Sequence, residues 1–105
     1  MHKLMVLYPE PTSREDFVAY YESTHLPLAR ALPGMIACRY SVGVSGQDSP
    51  YFAVFEADFP DGETLGAAMQ SDAGAAVAAD VPNYATGGAV VVDFAVTELS
   101  VTQSA

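Results

Sequence analysis

The chain has 105 residues, the size of one domain with a real apolar core. Thirteen acidic residues against four basic ones give a net charge of −9, which repels phosphate backbones and anionic membrane surfaces and so argues against nucleic-acid or membrane-surface binding. The one cysteine, Cys38, leaves no internal disulfide and no multi-cysteine metal site.

Half of the residues are hydrophobic, high for a small monomer, which points to an apolar subunit interface. No stretch approaches the ~20 apolar residues that span a bilayer. The N-terminus lacks a charged-then-apolar leader, and the expected location is cytoplasmic.

His2 sits at an end expected to fray. Lys3–Tyr8 is a short apolar run before Pro9 and predicts a strand, with Leu4, Val6 and Tyr8 on one face and Met5 and Leu7 on the other. Thr12 followed by Glu15 reads as a capping box that opens a helix. Phe17, Tyr21, Thr24 and Leu28 then form one stripe at helical spacing. Pro27 disfavours helical geometry at Leu26, so the helix is expected to bend or stop just past His25.

Met35–Gly43 predicts a second strand, with Ile36, Cys38, Tyr40 and Val42 on one face; Cys38 reads as a small core residue. A polar loop leads to a third strand at Tyr51–Phe59, where Phe52 and Val54 alternate with Tyr51, Ala53 and Phe55. Glu63–Gln70 predicts a helix, and Ser71 can cap a second short one through Ala79. Val81–Gly88 reads as an irregular loop, and Ala89–Leu99 as the last strand. Residues 1–100 make one domain and 101–105 a flexible tail.

The order strand, helix, strand, strand, helix, strand is that of an α+β, ferredoxin-like βαββαβ fold: a four-stranded antiparallel sheet with helices on one face. An uncovered apolar sheet face would be a sticky patch. Two copies packed face to face would remove it, so the expected assembly is a homodimer closing into an α+β barrel with room for a hydrophobic small molecule.

His25, in Tyr20-Tyr21-Glu22-Ser23-Thr24-His25-Leu26-Pro27-Leu28, is the residue around which a site is expected. Its imidazole titrates near neutral pH and suits acid–base catalysis; the alternative is a helix-terminal histidine that only bonds a backbone carbonyl. Tyr20 and Tyr21 lie on the apolar stripe, and one of them is expected to reach a ligand oxygen. Glu22 either orients the imidazole or is a surface charge. Tyr8 is expected at the cavity rim, and Asn83, Tyr84 and Thr86 in a loop that covers its mouth, with Asn83 also explicable as a turn residue. Asp93 either faces a ligand or forms a cross-strand ion pair with Arg39. One useful histidine and one cysteine argue against a metal site, and no glycine-rich phosphate loop follows a strand, so no cofactor is expected.

Leu4–Pro9, Tyr20–Gly34 and Asp80–Gly88 together resemble the EthD family of the dimeric α+β-barrel superfamily. The resemblance covers residues 2 to about 98, and the second stretch is its specific part. It implies the half-barrel fold, a homodimer, and a place for His25 at the mouth of the cavity. The family and its near relatives include a muconolactone isomerase and fungal dehydratases and decarboxylases of aromatic polyketides, with other members in ether-degradation operons. In the isomerase branch a histidine, a tyrosine and a cysteine are associated with the chemistry. His25 matches by motif and Tyr40 is the candidate tyrosine. Gly66 stands in the second helix region and Cys38 lies elsewhere, so the cysteine has no counterpart.

The resemblance therefore implies a cofactor-independent enzyme that uses His25 to isomerise, dehydrate, cyclise or decarboxylate an aromatic, polyketide or lactone compound. The alternatives are a cofactor-free monooxygenase or haem-binding oxidoreductase, and a non-enzymatic dimeric binding protein in a catabolic or biosynthetic operon.

Overall fold

A computed structural model describes residues 1–102. Its elements run β1 (His2–Pro9), α1 (Arg14–Tyr20), a π-helical turn (Tyr21–His25), α2 (Leu26–Ala29), β2 (Ala37–Val42), β3 (Tyr51–Phe59), α3 (Gly62–Gln70), α4 (Asp72–Asp80), a 3₁₀ turn (Val81–Asn83) and β4 (Val90–Ala95). The four strands form one antiparallel sheet in the order β2-β3-β1-β4, the ferredoxin-like arrangement. Residues 103–105 of the expected tail lie outside the described residues. No helix among the described residues is long and apolar enough to cross a membrane.

Alternation along β1 decides which face is covered. Leu4, Val6 and Tyr8 are buried, and their partners on β3 are Ala57, Phe55 and Ala53. Directly paired residues share a face, so this set floors the helical layer. Phe52 is expected on the opposite face but joins the core, packing edge-on to Phe17 at 5.4 Å. A register shift between Tyr8 and Pro9 turns it over, as an extra residue in one strand of a pair does.

Helix α1 begins one residue later than the Thr12–Glu15 box predicts. Ser13 is the cap, accepting from the Asp16 N–H at 3.2 Å. Thr12 is engaged elsewhere: its N–H donates to Thr86 Oγ1 at 2.9 Å, tying the start of α1 to the loop before β4. Gly87 lets that loop lie close, because a Cβ there would come within 2.6 Å of the Glu10 carbonyl oxygen.

The helix does not stop past His25. The Leu26 N–H reaches back to the Tyr21 carbonyl, closing a wide π turn, and the chain continues as α2 to Ala29. Pro27 falls in the first turn of α2, where its missing N–H and fixed φ are tolerated. Asp61 and Ser71 cap α3 and α4 through the Thr64 and Gly74 N–H groups, and α4 runs on to Asp80.

The other sheet face carries no helix. By register it presents Met5, Leu7, Val54, Val90, Val92 and Phe94, with Val92 39% and Phe94 41% exposed. Beside them Lys3 and Arg39 pair with Glu56 and Asp58; Arg39 meets Asp58 at 2.9 Å. The Arg39 bond lowers the Asp58 carboxyl's pKa, against the opposing pull of burial. His2 is not frayed: it lies in β1, and its Nε2 is 2.7 Å from Asp93 Oδ2.

Candidate functional site

The π turn carries His25 inward, and the end of α4 brings Asp80 to meet it. His25 is 3% exposed and Asp80 8%. His25 Nδ1 lies 2.9 Å from Asp80 Oδ2. The second carboxylate oxygen, Oδ1, accepts from Tyr20 Oη at 2.6 Å and from Asn83 Nδ2 at 3.0 Å. A buried carboxylate needs such partners, and Asp80 has three. With Asp80 ionised, Nδ1 carries the imidazole proton and donates it to the carboxylate. Nε2 is then the basic nitrogen, and it makes no hydrogen bond to the described residues.

Burial lowers the His25 pKa below its ordinary value, and the hydrogen bond and charge of Asp80 offset only part of this. The imidazole is thereby neutral at neutral pH, the form that accepts a proton. For Asp80, burial pushes the pKa up, but the bonds from Tyr20, Asn83 and His25 outweigh it and hold the carboxyl below the usual range. The pair is set as an oriented base on an ionised anchor.

His25 lines a mostly enclosed apolar cavity of about 90 Å³ between helices and sheet, with Leu4, Val6, Tyr8, Phe55 and Val91 among its walls. Around the imidazole stands an aromatic cage. Tyr21 stacks on it at 5.6 Å and 14°, and the Tyr84 ring lies 4.5 Å away. Tyr84 Oη and Tyr8 Oη are 2.7 Å apart. The Tyr21 hydroxyl is fully buried and has no hydrogen-bond partner. Such a group costs about 1–3 kcal/mol unless a ligand satisfies it. Burial raises the pKa of the Tyr8, Tyr21 and Tyr84 phenols.

The structure thus brings together His25, Tyr8, Tyr20, Tyr21, Asn83 and Tyr84. Three expectations fail. Glu22 does not orient the imidazole: it is exposed and accepts from Tyr40 Oη at 2.6 Å, and Tyr40 does not line the His25 cavity. Asp93 cannot pair with Arg39, because β4 and β2 are opposite edges of the sheet. Cys38 is exposed: it does share the helix-side face, being paired with Ala57, but β2 is an edge strand and an open groove separates Cys38 from α2.

Asp80 is the residue sequence reasoning missed. It closes an alanine-rich helix as an acidic residue where the apolar pattern ends, and it opens the third stretch of family resemblance. Among the described residues no group of three or more His, Cys, Asp or Glu could hold a metal ion.

Comparison with known proteins follows the same lines. A family model described as "EthD domain" matches residues 9–88. An uncharacterised 11.0 kDa protein of Rhodococcus erythropolis, from the thcB–thcC intergenic region, is 29% identical over 92 residues, covering 84% of this chain and 87% of that protein. The crystal structure of an EthD family protein from Bacillus halodurans superposes with a TM-score of 0.85 at 28% identity, over 92% of this chain and 99% of that one. A dimeric ferredoxin-like protein of unknown function from Thermobifida fusca shares the fold, with a TM-score of 0.71 at 18% identity over 90% of each chain.

Proposed function

The chain belongs to the EthD family, and on that premise we propose that it is a small, cofactor-independent enzyme in which His25 performs acid–base chemistry on a hydrophobic carbonyl, phenol or lactone compound. One observation carries the reading: a neutral imidazole, anchored through Nδ1 to Asp80 at 2.9 Å, lines an apolar cavity with Nε2 unpaired among the described residues. Nε2 would take a proton from the substrate and return it at a second atom, or pass it to a leaving oxygen. Tyr8, which lines the cavity with His25, would hold the substrate oxygen. Isomerisation, dehydration, cyclisation and decarboxylation all fit this proton traffic. A cavity of about 90 Å³ beside His25 is far smaller than a haem, which favours the proton-transfer reading over the haem-binding one.

The active form in this reading is a homodimer, formed through the uncovered sheet face. The relative from Thermobifida fusca is described as dimeric, and the exposed Val92 and Phe94 give that face a reason to be covered. A reducing, cytoplasmic compartment suits the exposed free thiol of Cys38.

Native mass spectrometry of protein taken from its source cells identifies the molecule it retains. Turnover of that molecule is then measured with wild type and His25→Gln. We expect a fall of ~10²–10⁴ in rate with the dimer mass kept. Undiminished turnover in His25→Gln overturns the assignment, and binding without any product in wild type leaves an accessory binding protein.

A further inference from the structure

The His25 cavity is too small to be the whole ligand site. At about 90 Å³ it falls well below the ~300–1,000 Å³ of ordinary small-molecule pockets. Next to it, between α2 and the edge strand β2, runs an open groove of about 290 Å³ lined by Leu26, Arg30, Cys38, Arg39, Tyr40 and Phe55. Phe55 lines both spaces and is the wall they share. Leu26 follows His25 directly, and Arg30 follows Leu26 by one helical turn, its N–H donating to the Leu26 carbonyl at 2.9 Å. Groove and cavity therefore lie along one helical segment, with the base at the inner end and a guanidinium at the outer end.

That guanidinium is set apart by its lack of partners. Of the four cations, Lys3 pairs with Glu56 and Asp58, Arg14 with Glu10, and Arg39 with Asp58 and Glu56. Arg30 makes no ion pair and no side-chain hydrogen bond to the described residues. In a chain of net charge −9 an arginine left free beside an apolar groove is conspicuous. Guanidinium forks match carboxylates in two parallel hydrogen bonds, and the groove floor is hydrocarbon and ring.

Resting on the His25 reading, we propose that the groove is the outer half of the same site, and that the ligand is an amphipathic carboxylic acid. Its carboxylate sits on Arg30, its apolar body lies over Leu26, Tyr40 and Phe55, and its other end passes Phe55 to His25. The acid head supplies orientation: Arg39 also lines the groove but is paired with Asp58 and Glu56, so Arg30 is the guanidinium left for the carboxylate and the molecule enters apolar end first.

The test uses the intact protein with 2-naphthoate and its neutral counterpart 2-naphthol, titrated by calorimetry, while the His25 ring is followed by NMR. Wild type is expected to prefer the carboxylate by about tenfold, the size of one charge-assisted contact, and 2-naphthoate should shift the His25 ring signals. Arg30→Gln should keep its melting temperature and lose the preference. His25→Gln should keep the preference even though it lacks the base. Equal binding of the two probes by wild type, a preference that survives in Arg30→Gln, or no binding of either probe overturns the proposal. Those outcomes are separate from turnover in His25→Gln, on which the catalytic reading stands or falls.

Discussion

Asp80 and His25, 55 positions apart in the chain, meet at 2.9 Å inside the helical layer, and each is more than nine-tenths buried. The contact joins the last residue of α4 to the π turn and fixes which imidazole nitrogen is free. Asp80 acts through His25 and not on the substrate, so it is a positioning residue.

Asp80→Asn should keep the fold's volume while removing the negative charge. Since that charge and hydrogen bond raise the His25 pKa against burial, their loss should lower it further. NMR titration of the imidazole in both proteins checks the sign. Turnover of the retained ligand should fall in step, mostly in kcat, and an unchanged His25 pKa would remove Asp80 from the account.

Stability should depend on pH through the same histidine. The folded pKa of His25 lies below its unfolded value of about 6.5, so the unfolded chain binds the proton first as pH falls. The stabilising contribution is complete above pH 6.5 and is lost progressively below it. Urea midpoints should therefore drop between pH 7 and pH 5, ahead of the carboxylate range. His25→Gln should flatten that part of the profile.

The tyrosines should separate by their hydrogen bonds. Tyr21→Phe removes a buried hydroxyl that has no partner and keeps the ring, so the free protein should gain about 1 kcal/mol. Tyr84→Phe strands the Tyr8 hydroxyl, now 2.7 Å from its partner, and should lose about 1–3 kcal/mol. Denaturant melts of the two variants give the contrast directly.

Val92→Asp places a charge on the uncovered sheet face, where Val92 pairs with Met5. On the proposed dimer through this face, sedimentation should show the mass halved with the far-ultraviolet spectrum unchanged. A variant that stays dimeric would move the interface elsewhere.

How far the residues spoke for themselves depended on the range of the interaction. The order of elements along the chain and the Ser71 cap follow from alternation, proline and capping residues, which are local. Leu4, Val6 and Tyr8 could be assigned to one face, but only the packed helices decide that this face is the covered one. Phe52 was misplaced because a one-residue slip at Tyr8/Pro9 inverts the alternation, and nothing in the composition of β3 marks it. Within the site, His25 was legible from its motif, whereas Asp80 was hidden in a helix of alanines until the fold closed over it. Glu22 misled by nearness in sequence: the carboxylate that serves His25 comes from the far side of the chain.

The five-residue turn at Tyr21–His25 is a phase shift. Residues five apart on an α-helix point about 140° from one another, since each step turns the helix by about 100°. Tyr20 and His25 are five apart, yet both grip the carboxylate of Asp80, one on each oxygen. The wide π turn makes that double grip geometrically possible. An even α-helix holding the same residues would swing His25 away from Tyr20, and Asp80 would then keep one of the two and lose the other. The irregularity is thus a timing device in the backbone, trading the evenness of a helix for the aim of one imidazole.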